Sequence, residues 1–192
     1  MVSDLDASYD AAMFVGYHSK AGTPRAILDH TYTGRIASVE VNDQEVGETG
    51  INAYLAGHHR VPVVRVTGDS AVTAEAKALI PRIHTVSVKE AVGTSAAKNL
   101  HPKRARELIR SGAAQALRDR KAVRPLKATT PVQMAVVFKG TESADRAEMV
   151  PTVRRLGGTR IEFLAISRRR SEHSTRSSRS RPSSEPTAPA PS

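Results

Sequence analysis

The 192-residue chain has no cysteine and no tryptophan, and its aromatics are three phenylalanines and four tyrosines. Without cysteine there is no disulfide framework, no thiolate metal site and no thiol nucleophile. So few aromatic rings leave little on which nucleic-acid bases could stack. No apolar run approaches the roughly 18 residues of a membrane span. The opening residues, MVSDLDASYD, are polar and acidic, unlike a secretory signal. Also absent are a Gly-rich dinucleotide or phosphate loop, a G-x-S-x-G elbow and an H-E-x-x-H helix. These absences predict a cytoplasmic protein with no membrane partner.

Hydrophobic residues make up 39% of the chain, too many for wholesale disorder. They are unevenly spread. Residues 167–192 hold nine serines, six arginines and four prolines, with Ala188 and Ala190 as their only apolar residues. Such a segment cannot bury enough surface to offset its ordering entropy, and it is predicted to be a disordered Arg/Ser/Pro tail. The formal net charge of +10 is also local. Residues 101–127 carry nine basic and two acidic side chains. No base-reading motif accompanies this charge, so a solvated helix face is the expected reading and nucleic acid is not the expected partner.

The periodicities predict an α/β fold: a mixed sheet with flanking helices, plus a small second α/β unit. Strands are expected at 11–17, 36–41, 62–67, 85–88, 132–138 and 160–166, with Asn42-Asp43 as a hairpin turn. Helices are expected at 48–57, 71–80, 102 onward and 143–149. Pro102 suits a first helical turn, and Pro81 stops the helix before it. The long helix has a predicted stripe of Ala105, Leu108, Ile109, Gly112, Ala113, Ala116 and Leu117. The domain reading is a core at 1–122, a Pro/Thr-containing linker at 123–131 and a partial second α/β domain at 132–166.

Among seven histidines, two stand at positions suited to chemistry. His18 follows the apolar run MFVGY, at the C-terminal end of a strand, where ligands gather in α/β sheets. It suits a metal ligand, a proton carrier or a hydrogen-bonded strand cap. His30 lies past a loop containing Gly22 and Pro24. Glu48 begins a helix, where a carboxylate is stabilised by the helix N-terminus or can project into a cleft as a ligand. Asn52, one turn on, would share that face and could orient a substrate or the loop. His58 and His59 read as surface or interface residues, Asp69 as a turn cap, and Asp4 and Asp6 as unrelated to the site. Residue chemistry alone stops at a candidate cleft of His18, His30 and Glu48.

The motifs GYH (16–18), TPRAILDH (23–30) and GETGINA (47–53) occur together, followed by ALIP, VKEAVG, SAAKNLHPKRARELI and RPLKATTP. In this combination the sequence resembles the D-aminopeptidase family of DppA type, zinc metallopeptidases of bacteria and archaea, over roughly residues 8–166. The resemblance implies a two-domain α/β fold assembled as a ring of identical subunits. It implies hydrolytic release of N-terminal D-amino acids, D-alanine among them, from short peptides, with two zinc ions per subunit. On the matching positions, His18 and Glu48 are metal ligands and His30 is the catalytic residue (as nucleophile or general base).

The family's Ser-x-Asp-x-Glu-Gly and Asp-x-His ligand segments precede GYH, and the stretch before that motif here, MVSDLDASYDAAMFV, contains neither. The chain is therefore expected to be an N-terminally truncated member with an unrelated C-terminal tail and impaired activity. The alternative is a non-catalytic remnant that forms oligomers or binds nucleic acid through its basic helix and tail.

Overall fold

A computed structural model describes residues 2–165 of the chain. The predicted tail, 167–192, lies outside the described residues. Two sheets organise the molecule, each with its own apolar core.

Strands β1 (Ala12–Tyr17), β4 (Val63–Asp69), β5 (His84–Gly93) and β6 (Ala96–Asn99) form the first sheet, in the order β1-β4-β5-β6. β1, β4 and β5 run parallel, and β6 returns antiparallel to β5. All seven residues of β4, VVRVTGD, are buried. That is what a central parallel strand covered on both faces requires, and it explains why the valines 63, 64 and 66 do not alternate with exposed residues. Val63, Val64 and Val66 join Phe14, Ala53, Ala56 and Val72 in the core of this half.

Three helices dress the sheet: α1 (Glu48–His58), α2 (Ser70–Leu79) and α3 (Pro102–Arg118). α2 packs on the side of Gly68, where an added Cβ would lie 2.5 Å from Val72 and 2.1 Å from the Tyr17 carbonyl oxygen. Only glycine permits β1, β4 and α2 to meet this closely. α3 covers the other side of β4. There Arg65 is buried and its guanidinium donates to the Leu108 carbonyl at 3.2 Å. Burial pulls the Arg65 pKa down. The predicted stripe of α3 is half-buried, with Ala116 fully so. Leu117 is instead 46% exposed. It sits about 100° round the helix from Ala116, at the flank of the stripe.

The second sheet contains β2 (Ile36–Val41), β3 (Gln44–Glu45), β7 (Val132–Phe138), β8 (Arg154–Arg155) and β9 (Arg160–Ala165), with α4 (Thr141–Glu148) packed on β7 and β9. Its order is β3-β2-β7-β9-β8, and it is antiparallel throughout. Asn42 and Asp43 both adopt positive φ, 50° and 63°. That is the conformation of a tight hairpin turn with the twist the strands need. β2 pairs with the distant β7, Val39 opposite Val136. Val39, Val41, Val46, Ile51, Val136 and Ile161 fill this second core. Ile51 comes from α1, so that helix lies between the two cores.

In the first sheet, β5 and β6 depart most from the sequence expectation. β5 is ten residues long and extends past the strand expected at 85–88, and β6 has no strand signal of its own. Both belong to an exposed hairpin around Gly93 whose residues include Lys89, Glu90 and Lys98 and lack β-branched enrichment. Pairing rather than propensity makes them strands.

Candidate functional site

His18 leaves the C-terminal end of β1 one residue beyond Tyr17. The strand does not run straight into it. Gly16 has φ +76°, and the β1–β4 register shifts between Val15 and Tyr17. The bulge bends the strand end and re-aims the residues beyond it. The Gly16 N–H donates to Thr67 Oγ1 of β4 at 3.1 Å, so the bulge is itself fastened. The glycine of the GYH motif is thus a conformational requirement.

His30 sits on a long loop between β1 and β2. In this loop Arg25, Leu28 and Tyr32 all take left-handed φ, from 52° to 58°. Such conformations are costly for non-glycine residues and persist only where surroundings enforce them. Here the enforcement is visible. The Ile27 N–H donates to Asp69 Oδ2 at 2.9 Å, the Leu28 N–H to the Thr94 carbonyl at 2.8 Å, and the Tyr32 N–H to Glu48 Oε1 at 2.8 Å. Asp69 is fully buried and also caps α2, accepting from the Val72 N–H at 2.9 Å. The sequence reading of Asp69 as a cap holds. Its second bond, to the loop, has no sequence signal.

The two imidazoles are oriented in the same way. His18 Nδ1 lies 3.0 Å from the Ser19 carbonyl oxygen, and His30 Nδ1 lies 2.7 Å from the Leu28 carbonyl oxygen. A carbonyl only accepts, so each Nδ1 carries the hydrogen and each neutral ring keeps its lone pair on Nε2. Both Nε2 atoms face one carboxylate oxygen, Glu48 Oε1, at 3.5 Å for His18 and 3.8 Å for His30. The rings stack with centroids 3.8 Å apart and planes 16° from parallel. One ligand atom from each of the three residues falls within 4.8 Å of the others.

Glu48 begins α1 behind Gly47, where the helix N-terminus favours its negative charge. Its side chain is 9% exposed, against 22% for His18 and 38% for His30, so the cluster opens to solvent on the His30 side. Tyr17 and Tyr32 border it. Burial raises both hydroxyl pKa values, and the Glu48 charge adds to the effect. Asn52, buried one turn along α1, donates to the Tyr17 hydroxyl at 3.2 Å.

The other sequence candidates lie elsewhere. His58 and His59 meet edge to face at the end of α1. His84 is 3.2 Å from the Asp119 carboxylate, and His101 caps α3 by accepting from the Lys103 N–H. Asp6 accepts from Ser8. Among the described residues, His18, His30 and Glu48 form the one cluster of three or more His, Cys, Asp or Glu side chains able to share a metal.

A family model described as D-aminopeptidase matches residues 1–171. The D-aminopeptidase of Bacillus subtilis (strain 168) is 36% identical over 166 residues, which is 86% of this chain and 60% of that protein. A solved structure, that of the Zn-dependent D-aminopeptidase DppA from Bacillus subtilis, a self-compartmentalizing protease, aligns with a TM-score of 0.83 at 35% identity. It too is matched over 86% of this chain and 60% of its own length. The chain therefore spans about three fifths of the length of the relatives it matches.

Proposed function

The chain belongs to the D-aminopeptidase family, and we propose that His18, His30 and Glu48 are its part of a zinc peptidase centre acting on N-terminal D-amino acids of short peptides. The observation that carries this reading is the shared orientation of the two imidazoles. Both Nδ1 atoms are tied to main-chain carbonyls, which turns two free Nε2 lone pairs onto one buried carboxylate. Metal-binding histidines have this arrangement, with the far ring nitrogen donating to a fixed acceptor.

The donor set suits zinc, which takes imidazole nitrogen and carboxylate oxygen. In this reading His18 and Glu48 hold the ion. Zinc bound there supplies polarisation of a peptide carbonyl or a water molecule. His30, on the open side, has an Nε2 lone pair able to take a proton from water or to attack a carbonyl carbon. Its Nδ1–H bond to Leu28 keeps the ring from turning that lone pair away. Glu48 cannot drift from the site because the Tyr32 N–H holds Oε1. Asn52 stands in the reading as a substrate-binding residue, supported by its place one turn beyond Glu48 and its bond to Tyr17, the residue before His18.

Zinc ordinarily has about four ligands, so three donors do not hold two ions. A second ion needs ligands beyond these three, so turnover with this donor set alone is expected to be slow. D-Alanine as the released residue, and assembly with further copies of the chain, are parts of the same proposal. The second is supported by the self-compartmentalizing neighbour.

The test is zinc binding by chelator competition on the full chain, together with D-alanine release from D-Ala-D-Ala in added zinc. The expected result is uptake of one zinc per chain, weakened in His18→Ala and Glu48→Gln. Any turnover should vanish in His30→Ala. A wild-type chain that holds zinc no better than Glu48→Gln refutes the proposal.

A further inference from the structure

His18 and Glu48 come from separate elements, a strand end and a helix start. For the two to serve one ion their backbones must be held in fixed relation. A side chain of a third element reaches both. Glu75, on α2, accepts the Lys20 N–H on Oε2 at 2.9 Å. Lys20 is two residues past His18. The other oxygen, Oε1, is buried without a full hydrogen bond. It faces the main chain of Gly47, the residue before Glu48. The packing there is tight: a Cβ on Gly47 would lie 2.9 Å from Glu75 Oε1 and 2.8 Å from Lys20 Cβ.

Burying a carboxylate here is not neutral. Burial raises the Glu75 pKa above the ordinary carboxylate value, and the Lys20 amide and charge oppose that rise. An apolar residue would seal this side of α2 without such a cost. Nearby Lys20 Nζ pairs with Glu45 at 2.8 Å, so the ammonium already has a carboxylate partner. What Glu75 alone supplies is an acceptor for the backbone between His18 and the rest of the loop.

We propose that Glu75 is a positioning residue for the metal centre: from α2 it clamps the main chain beside His18 against the main chain beside Glu48, and so sets the separation of the two ligands. This rests on the zinc reading above. The same clamp holds Ser19, whose carbonyl accepts from His18 Nδ1 and from the His30 N–H, at 3.4 Å for the latter. Releasing Lys20 therefore loosens the anchor of the His18 ring as well.

The experiment compares Glu75→Gln, Glu75→Ala and Glu75→Met in the full 192-residue chain. Glutamine keeps an acceptor for the Lys20 N–H. Alanine removes it, and methionine fills the space without one, which guards against simple collapse of the alanine variant. Two readouts separate positioning from stability. One is zinc affinity by chelator competition. The other, which needs no metal, is the ring-nitrogen NMR signature of His18 in folded protein. Loss of a partner that orients a ligand typically costs about 10–100-fold in metal affinity.

Accordingly, Glu75→Ala and Glu75→Met should bind zinc at least about tenfold more weakly, and Glu75→Gln should stay within about twofold of wild type. The Nδ1–H form of His18 should dominate in wild type and Glu75→Gln and give way to mixed tautomers in the other two. Unchanged zinc affinity and an unchanged His18 signature in folded Glu75→Met overturn the proposal, even if that variant melts earlier. If wild type binds no zinc, the zinc reading fails, and the His18 signature still decides whether Glu75 orients the ring.

Discussion

Replacing Asp69 with alanine removes two hydrogen bonds from one fully buried carboxylate. The first is the cap of α2, from the Val72 N–H at 2.9 Å. Losing an N-cap acceptor costs about 1 kcal/mol. The second bond, from the Ile27 N–H at 2.9 Å, fastens the loop that carries His30. Ile27 is itself buried, so its amide is left without a partner, at a cost of about 1–3 kcal/mol. Relief of the buried charge offsets part of the sum. The expected net loss is therefore below the summed ~2–4 kcal/mol, about 1–3 kcal/mol, or about 2–12 °C in Tm for a chain of this size.

Asp69→Asn offers one acceptor oxygen instead of two and should lose roughly half as much. Thermal unfolding followed by circular dichroism measures the totals, and amide exchange separates the two bonds. In Asp69→Ala both the Ile27 and Val72 amides should exchange faster than in wild type. Leu28, the next residue, anchors His30 Nδ1, so the Nδ1–H form of His30 should give way to mixed tautomers in ring-nitrogen NMR. A Tm within about 1 °C of wild type, with Ile27 still protected, would refute the reasoning.

Glu48→Gln should reduce zinc affinity by more than the roughly 100-fold upper range seen for outer partners, because it alters a ligand itself; isothermal titration reads this directly. Gly57→Ala should destabilise by about 2 kcal/mol or more, although alanine is the better helix former by about 1 kcal/mol. The new Cβ would fall 1.6 Å from the Leu126 carbonyl oxygen, and a stabilised variant in urea unfolding would show the contact misjudged. Glu40 accepts two hydrogen bonds from Arg160, at 2.9 and 2.6 Å, which hold its carboxyl below its ordinary value of 4.5. A lowered folded-state pKa means stability that is fully present above 4.5 and lost as pH falls through the lower value. Urea midpoints of wild type and Glu40→Gln should therefore differ near neutral pH and converge as the medium is made strongly acidic; a constant gap would show that the pair is not coupled to protons.

Much of this was legible in the chain itself. Alternation at 36–41 and the Asn42-Asp43 pair gave the hairpin, because both depend on neighbours in sequence. The run PVVRVT at 62–67 marked a strand for the same reason. What escaped depended on partners far along the chain. Nothing local to Ile36–Val41 or Val132–Phe138 says that they pair, and the residues of β6 resemble a loop until β5 lies beside them. The site divides similarly. His18, His30 and Glu48 were visible from motif and element position. Their acceptors were not, since Ser19 and Leu28 contribute carbonyls and a carbonyl leaves no trace in residue type. Leu28 and Tyr32 adopt left-handed φ without being glycine, so even the special backbone of the loop goes unsigned. Glu75 looked like one more polar residue on an amphipathic helix.

The carbonyl anchors of the two imidazoles also bear on how this site tolerates change. A side-chain partner disappears with one substitution, but every amino acid brings a carbonyl. Positions 19 and 28 can therefore drift in identity, within the limits of burial at Ser19 and left-handed φ at Leu28, while both rings stay aimed. Insertions and deletions have no such allowance. One residue added between Lys20 and Leu28 shifts the spacing of the anchors against the fixed N-terminus of α1. Drift across this loop should therefore be read in its length rather than its letters.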